Sequence, residues 1–305
     1  MKVLFAIDGS AGSFEAVGQV AALLLPGKDE VTLYCSPPQL RLDSTAVSAE
    51  VISAAQAALA DAIFAKAAKR LPTTWNPTLA RVVGTKDARL GILAAAEQTQ
   101  ADLIVVGARG LNRFERLLIG SVSRAIVHAS RVPVWVARPR PASSSDAPHI
   151  LVACETPERA RKPVKLLSNL NWPEGSTCCA LTVISSIFAG RVPQWLEQQA
   201  RSPDVEEMVR KWSREHEEEV QGNLAKIQTF VKELPGVFSC TKPLVAEGEP
   251  AEQILAAAGR EHADLVVIGA QHKRSPAAAI FGSTSEAVLN HAGCSVLVVP
   301  HQETP

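Results

Sequence analysis

The residues with the clearest chemistry lie in the segment Gly107-Ala-Arg109-Gly110-Leu-Asn-Arg-Phe-Glu-Arg-Leu-Leu-Ile-Gly120-Ser121-Val122-Ser123. Gly107 ends an apolar run, where a glycine lets the backbone turn sharply, and Gly110 lets main-chain N–H groups approach an anion closely. Gly120-Ser121 opens a helix whose first N–H groups have no helical partner, with a hydroxyl beside them and the positive end of the helix dipole behind. This is the chemistry of a phosphate site. A carboxylate stands at a second special place, Asp8 in Asp8-Gly9-Ser10, directly after the apolar run Val3-Leu-Phe-Ala-Ile7. In a doubly wound sheet ligands sit beyond the carboxyl ends of the strands where strand order reverses, so Asp8 and Gly107 are expected to share one crevice. There the carboxylate could meet a ribose hydroxyl or a magnesium ion bridging phosphates. The plainer alternatives are turn glycines, a Gly-Ser helix start, and Asp8 as a cap for a helix beginning near Ser13. The chain contains neither a Walker A sequence nor a G-x-G-x-x-G fingerprint, so another type of phosphate loop is required.

The elements that must position these residues are set by an internal repeat. Ala101-Asp-Leu-Ile-Val-Val-Gly107 matches Ala263-Asp-Leu-Val-Val-Ile-Gly269 at an offset of 162 residues, and the same offset pairs Gly120-Ser121 with Gly282-Ser283 and Ile92-Leu-Ala-Ala-Ala with Ile254-Leu-Ala-Ala-Ala. Near the start the offset is 147, pairing Lys2-Val-Leu-Phe-Ala6 with His149-Ile-Leu-Val-Ala153, so the second copy holds about 15 more residues in its middle. Pro- and Ser-rich sequence between the copies reads as a linker over 140–148, which leaves one domain over 1–139 and another over 149–305. Two domains of this size suit 305 residues. In each copy short Val/Ile/Leu runs alternate with helix-like segments, the pattern of a parallel sheet covered on both faces. Strands are expected at 3–7, 31–35, 79–83, 102–106 and 133–137, and again at 150–154, 178–183, 238–246, 264–268 and 295–299. The fold class is therefore α/β, two tandem Rossmann-like domains with five parallel strands each. The additional residues fall around 186–234, where Met208, Trp212, His216, Val220, Leu224, Ile227 and Val231 form a helical stripe, a core-facing pattern with a partner-binding helix as the alternative.

The full pattern G-x2-G-x9-G-S, met by Gly107, Gly110, Gly120 and Ser121, resembles the nucleotide loop of the ATP-binding universal stress proteins, and Asp8 matches that family's acidic position. The resemblance spans nearly the whole chain as two copies, apart from the linker and 186–234. It implies adenine nucleotide alpha hydrolase-like domains, ATP as ligand with Mg2+ as an open addition, and phosphate contacts from Gly107, Gly110, Gly120, Ser121 and Val122. It also implies that Ala6, Asp8, Cys35 and Val106 line the adenosine side, with Arg109 and Ser123 as further contacts. Association through the last strand is implied too; 133–137 and 295–299 could pair within one chain as a built-in pseudo-dimer, and whether two chains pair as a homodimer stays open.

The second copy departs from the pattern. Gly269, Gly282 and Ser283 remain, but His272 stands where the first copy has Gly110 and the longer Glu155 where it has Asp8, so ATP binding there is expected to be weak or absent. No nucleophile elbow, H-E-x-x-H or kinase signature appears, and Ser121 has no predicted base. A regulatory, stress-response protein that binds ATP in its first copy leads; a slow ATPase or nucleotidyl transferase, and a ligand-free interaction protein, are the alternatives. Lys plus Arg and Asp plus Glu both number 31, which leaves no overall field to attract nucleic acid or an acidic membrane surface. No signal peptide is read at the N-terminus and no apolar run of about 18 residues is read as a membrane span, which makes the expected location cytoplasmic. The six cysteines form no C-x-x-C or zinc spacing and are expected as free thiols.

Overall fold

The computed structural model describes residues 1–37, 48–72, 75, 79–84, 87–109, 119–140, 147–185, 203–271, 273–275 and 278–301. The first copy runs β1 (Lys2–Ile7), α1 (Ala11–Ala21), β2 (Glu30–Cys35), α2 (Ala49–Ala68), β3 (Leu79–Val83), α3 (Ala88–Gln98), β4 (Leu103–Gly107), α4 (Ser121–Ala129) and β5 (Val134–Ala137). The second runs β6 (His149–Ala153), α5 (Pro157–Ser168), β7 (Thr177–Ile184), α6 (Pro203–Val231), β8 (Cys240–Glu247), α7 (Pro250–Arg260), β9 (Leu265–Gln271), β10 (Lys273–Ser275), β11 (Ala278–Ile280), α8 (Ser283–His291) and β12 (Ser295–His301). Helices start where the side chains dictate. Ser10, Asp87 and Thr156 accept backbone N–H groups as N-caps of α1, α3 and α5, and Pro begins α5 and α7, where its missing N–H costs nothing.

All pairings within the order β3-β2-β1-β4-β5 are parallel, as are those within β12-β9-β6-β7-β8, so both copies reverse direction between their first and fourth strands. β5 and β12 join them antiparallel, Trp135 opposite Leu297, into one ten-stranded sheet. The repeat is visible in detail: the Lys2 N–H donates to Asp102 at 2.8 Å and the His149 N–H to Asp264 at 3.0 Å, while the hydroxyls of Ser123 and Ser285 donate to the carbonyls of Gly107 and Gly269.

Side-chain parity divides the core into two layers. Phe5, Ile7, Leu33 and Cys35 face α1 and α2 with Phe14, Val17 and Phe64, and the same layer continues through Leu167, Ile227 and Phe230 of the second copy. Leu4, Tyr34, Ile104 and Val136 face the other way, with Ile92, Ile126, Ile254 and Val288. The ten expected strands all appear, with two differences. β9 and β12 run longer because, after Val299 meets Gly269, Pro300 and His301 continue to pair with Ala270 and Gln271, and β10 pairs antiparallel with β11 where sequence patterning gives only a loop. In α6 the stripe is buried or half-buried from Trp212 to Val231, while Met208 stands 58% exposed; 186–202 lie outside the described residues.

One membrane expectation needs correction. Glu50–Ala68 in α2 has a mean hydropathy of 1.4 and is long and apolar enough to cross a membrane by length and composition, because its alanines carry it past Asp61 and Lys66. In this fold its Ala60, Ile63, Phe64 and Ala67 pack into the first layer of the core. The thiols of Cys35, Cys154, Cys178, Cys179 and Cys294 are free, and burial pushes that of Cys154 up to about 12.

Candidate functional site

The carboxyl ends of β1 and β4 separate at the point where strand order reverses, and a cleft of about 270 Å³ opens there. The chain leaves β1 through Gly9, whose φ of +84° is the left-handed conformation that a side chain disfavours. This turn folds Asp8 back onto the start of α1. Its Oδ1 accepts from the Ser10 N–H at 3.0 Å and from the Ser10 hydroxyl at 2.6 Å, while Ser10 Oγ accepts from the Ser13 N–H. Asp8 thus braces the residue that caps α1, instead of capping the helix itself, and its carboxylate remains on the cleft wall.

Gly107 faces Asp8 from β4. A Cβ on it would lie 3.1 Å from the Gly12 carbonyl carbon and 3.1 Å from the Ser13 nitrogen, so a side chain there would press on the start of α1, which seats closely against this strand end. Arg109 follows. Its carbonyl accepts from Ser10 Oγ at 3.4 Å, and its Nε is buried without a hydrogen-bond partner among the described residues. Opposite stands the start of α4, where Gly120 is the N-cap and offers no side chain to the first N–H groups. Ser121 is exposed, Val122 half-buried and Ser123 buried, with the Ser123 hydroxyl donating to the Gly107 carbonyl at 2.7 Å. A helix N-terminus without a side-chain cap, the Arg109 side chain and a glycine-lined turn therefore line one space, an arrangement suited to an oxyanion.

Of the residues read from sequence, Ala6, Asp8, Val106, Gly107, Arg109, Gly120, Ser121, Val122 and Ser123 line this cleft. Gly110 lies outside the described residues. Cys35 is placed elsewhere: it is fully buried in the α1–α2 layer, and burial, with the Asp8 charge, raises its thiol to about 11. Its neighbours Tyr34 and Ser36 line the cleft, together with Ala88 and Ile92 of α3. Strand parity is the signal that finds them. Ala6 pairs with Tyr34 and Ile7 with Cys35, so the face that carries Ala6 carries Tyr34. The Tyr34 hydroxyl lies within 2 Å of where a Cβ on Gly84 or Gly91 would stand, and burial holds its pKa above the ordinary tyrosine value.

The corresponding place in the second copy is built differently. Thr156 occupies the position of Gly9 with φ −140°, so α5 starts one residue earlier in the repeat than α1 does. The His301 imidazole stands where a Cβ on Gly269 would reach, 2.8 Å away, filling the place that the backbone of Gly12 and Ser13 takes beside Gly107. Glu155, expected to reach into the crevice, is 73% exposed and pairs with Arg159 one turn along. His272 lies outside the described residues.

A doubly wound α/β sheet with a cleft at its reversal point is the architecture in which ligands bind beyond the carboxyl ends of the strands. Residues 1–138 and 190–300 match the universal stress protein family, and the chain belongs to that family. A universal stress protein from Archaeoglobus fulgidus superposes with a TM-score of 0.62 at 20% identity, over 99% of this chain and 98% of that one. A functionally unknown protein from Pseudomonas aeruginosa superposes at 0.58 with 14% identity, over 98% of this chain and 92% of that one. Universal stress protein MJ0531 of Methanocaldococcus jannaschii is 39% identical over 82 residues, 27% of this chain and 46% of that protein. Universal stress protein Rv2005c of Mycobacterium tuberculosis is 50% identical over 42 residues, 14% of each. The aligned stretches thus span less than half the length of these curated relatives.

Proposed function

We propose that the chain is a regulatory universal stress protein whose first copy, residues 1–139, binds ATP through the loop Gly107-x2-Gly110-x9-Gly120-Ser121, while the second copy, 149–305, is altered at the equivalent place. The observation that carries this reading is the convergence of Arg109, the start of α4 without a side-chain cap and the close-packed Gly107 on one cleft. The N–H groups of Ser121 and Val122 would hold phosphate oxygens, Arg109 would supply charge, and Ala6, Tyr34, Val106 and Ile92 would wall the nucleoside. Asp8 is the one carboxylate on the cleft wall among the described residues, so Mg2+ there would depend mainly on phosphate oxygens for its ligands.

The hydroxyls of Ser13 and Ser123 are engaged by the Ser10 and Gly107 carbonyls, which favours binding over nucleophilic chemistry. Bound ATP would act by setting the conformation presented to a protein partner in the cytoplasm. The antiparallel pairing of β5 with β12 supports reading the chain as an intrachain pseudo-dimer. Calorimetric titration of the full chain with Mg-ATP tests the proposal: about one site per chain is expected, two equal sites would overturn the asymmetry, and no heat or competition would overturn the ATP reading.

A further inference from the structure

A larger cavity, about 500 Å³, lies at the junction of the copies, below the amino ends of β6, β9 and β12 and beside the carboxyl ends of α7 and α8. It belongs to neither nucleotide cleft. Arg138, the residue after β5, borders it and is only 6% exposed. Its Nη2 donates to the Leu289 carbonyl at 3.0 Å and its backbone N–H to Ser295 Oγ at 3.1 Å, but its Nε is buried with no acceptor among the described residues. Arginine stays protonated at any physiological pH, so a charge is buried here.

No counter-charge is found for it among the described residues. The cavity's one carboxylate, Asp264, is held by Arg140 through two hydrogen bonds of 3.0 Å and also accepts the His149 N–H. Cys294 is no thiolate, since burial pushes its pKa up to about 11. The carbonyl at the end of α8 offers a partial dipole through Leu289, which is less than a full charge. Arg109 adds a repelling positive charge, and with burial as the larger cause it holds the Arg138 pKa below the ordinary arginine value. Burying an ion without a partner is strongly unfavourable, so an anion that reached this guanidinium would relieve that cost. The rest of the lining suits an organic body: Leu255, Ala258 and Ala292 form an apolar wall, and added Cβ atoms at Gly259 and Gly293 would meet nothing within 4 Å.

We propose that this cavity is a binding site for a small organic oxyanion, a carboxylate or a phosphate monoester, whose charged end pairs with the Arg138 guanidinium and whose apolar body lies along α7 and α8. The cavity's own histidines, His149, His262 and His291, report on it. The full-length chain, with its histidine rings observed by heteronuclear NMR, is titrated with benzoate and separately with phenyl phosphate, each to about 10 mM, the range of millimolar affinity. Saturable shifts at His149, His262 and His291 without shifts at His128 or His216 are expected with at least one probe. A response to benzoate alone assigns a carboxylate ligand and one to phenyl phosphate alone a phosphate ester. Arg138→Met should weaken the saturable response by about tenfold or more while leaving the melting temperature of the unliganded chain unchanged or raised, since a buried unpaired charge is removed. Gly293→Leu, which adds bulk at the cavity wall and leaves Arg138 in place, should weaken the response. Absence of saturable shifts with both probes, or an undiminished response in Arg138→Met or in Gly293→Leu, overturns the site.

Discussion

Arg124 on α4 and Glu286 on α8 form an ion pair across the junction of the two copies, and they are the same position of the repeat, 162 residues apart. His128 and Asn290, also equivalent, both bond to Glu286, at 2.6 and 3.0 Å. A pairing of like copies would set arginine on arginine or glutamate on glutamate, so the charges favour joining a first copy to a second.

Glu286→Arg should lower the melting temperature by about 2–4 °C, the effect of about 1 kcal/mol in a chain of this size, and the swap Arg124→Glu with Glu286→Arg should restore most of it. Burial alone would raise the Glu286 pKa, but hydrogen bonds from His128 and Asn290 and the charges of His128 and Arg124 hold it below the ordinary glutamate value. A carboxyl with a lowered folded-state pKa stabilises the protein above its unfolded-state value of about 4.5 and loses that contribution as pH falls through the folded value. The advantage of the native chain over Glu286→Gln should therefore fade on acidification below about pH 4.5. Calorimetric melts across that range, with an unchanged difference, would remove the ion pair from the account.

Gly107→Ala tests the packing under the cleft. The added methyl meets backbone of Gly12 and Ser13 at 3.1 Å, which cannot swing away as a side-chain tip would, so α1 must shift. Overpacking of this kind costs about 1–3 kcal/mol, and nucleotide affinity should fall along with stability. Denaturant unfolding together with ATP titration checks both; unaltered stability would show that the α1 contact is slack.

Asp8→Asn keeps the size of a side chain that accepts from Ser10 while removing its charge. If Asp8 meets Mg2+, binding of Mg-ATP should weaken by about tenfold or more, the effect of one charge-assisted contact, while ATP in excess chelator binds equally well or better. Equal losses with and without Mg2+ would instead place Asp8 on the ribose. Side-by-side titrations distinguish the two.

Strand positions were legible because buried parallel strands write themselves as Val/Ile/Leu runs, and a repeat shows each of them twice. The reversal point followed, and with it the meeting of Asp8 and Gly107. The family resemblance implies Cys35 on the adenosine side, but the period of two turns its side chain into the opposite layer and brings Tyr34 and Ser36 to the wall. That correction was available from sequence once Ala6 was taken to face the ligand. The unpaired Nε of Arg109 was not available, because pairing depends on what the fold brings near it. Nor was the role of His301: two residues, Pro300 and His301, extend β12 beyond the equivalent of β5, and only the register against β9 brings the second of them over Gly269.

His301 yields the remaining prediction. Pro163, inside α5, has no N–H to give the Arg159 carbonyl, and the His301 side chain hydrogen-bonds to the Arg159 backbone. Burial is the main cause that lowers its pKa from 6.5, followed by the charges of Arg159 and Lys162, against which that hydrogen bond acts in the raising direction. A histidine with a lowered folded-state pKa favours the neutral ring, so its contribution is present above the unfolded value and lost as pH falls through the folded one. The native chain should therefore lose stability between about pH 7 and about pH 5, and His301→Gln, uncharged throughout, should lose less over the same interval. Because His301→Gln still leaves Thr156 in place of the left-handed glycine and α5 starting a residue early, Mg-ATP should continue to saturate at one site per chain. Chemical unfolding at the two pH values and calorimetric stoichiometry measure these outcomes. An identical pH slope would remove His301 as the titrating group, and a second site in the variant would show that His301 alone closes the second copy.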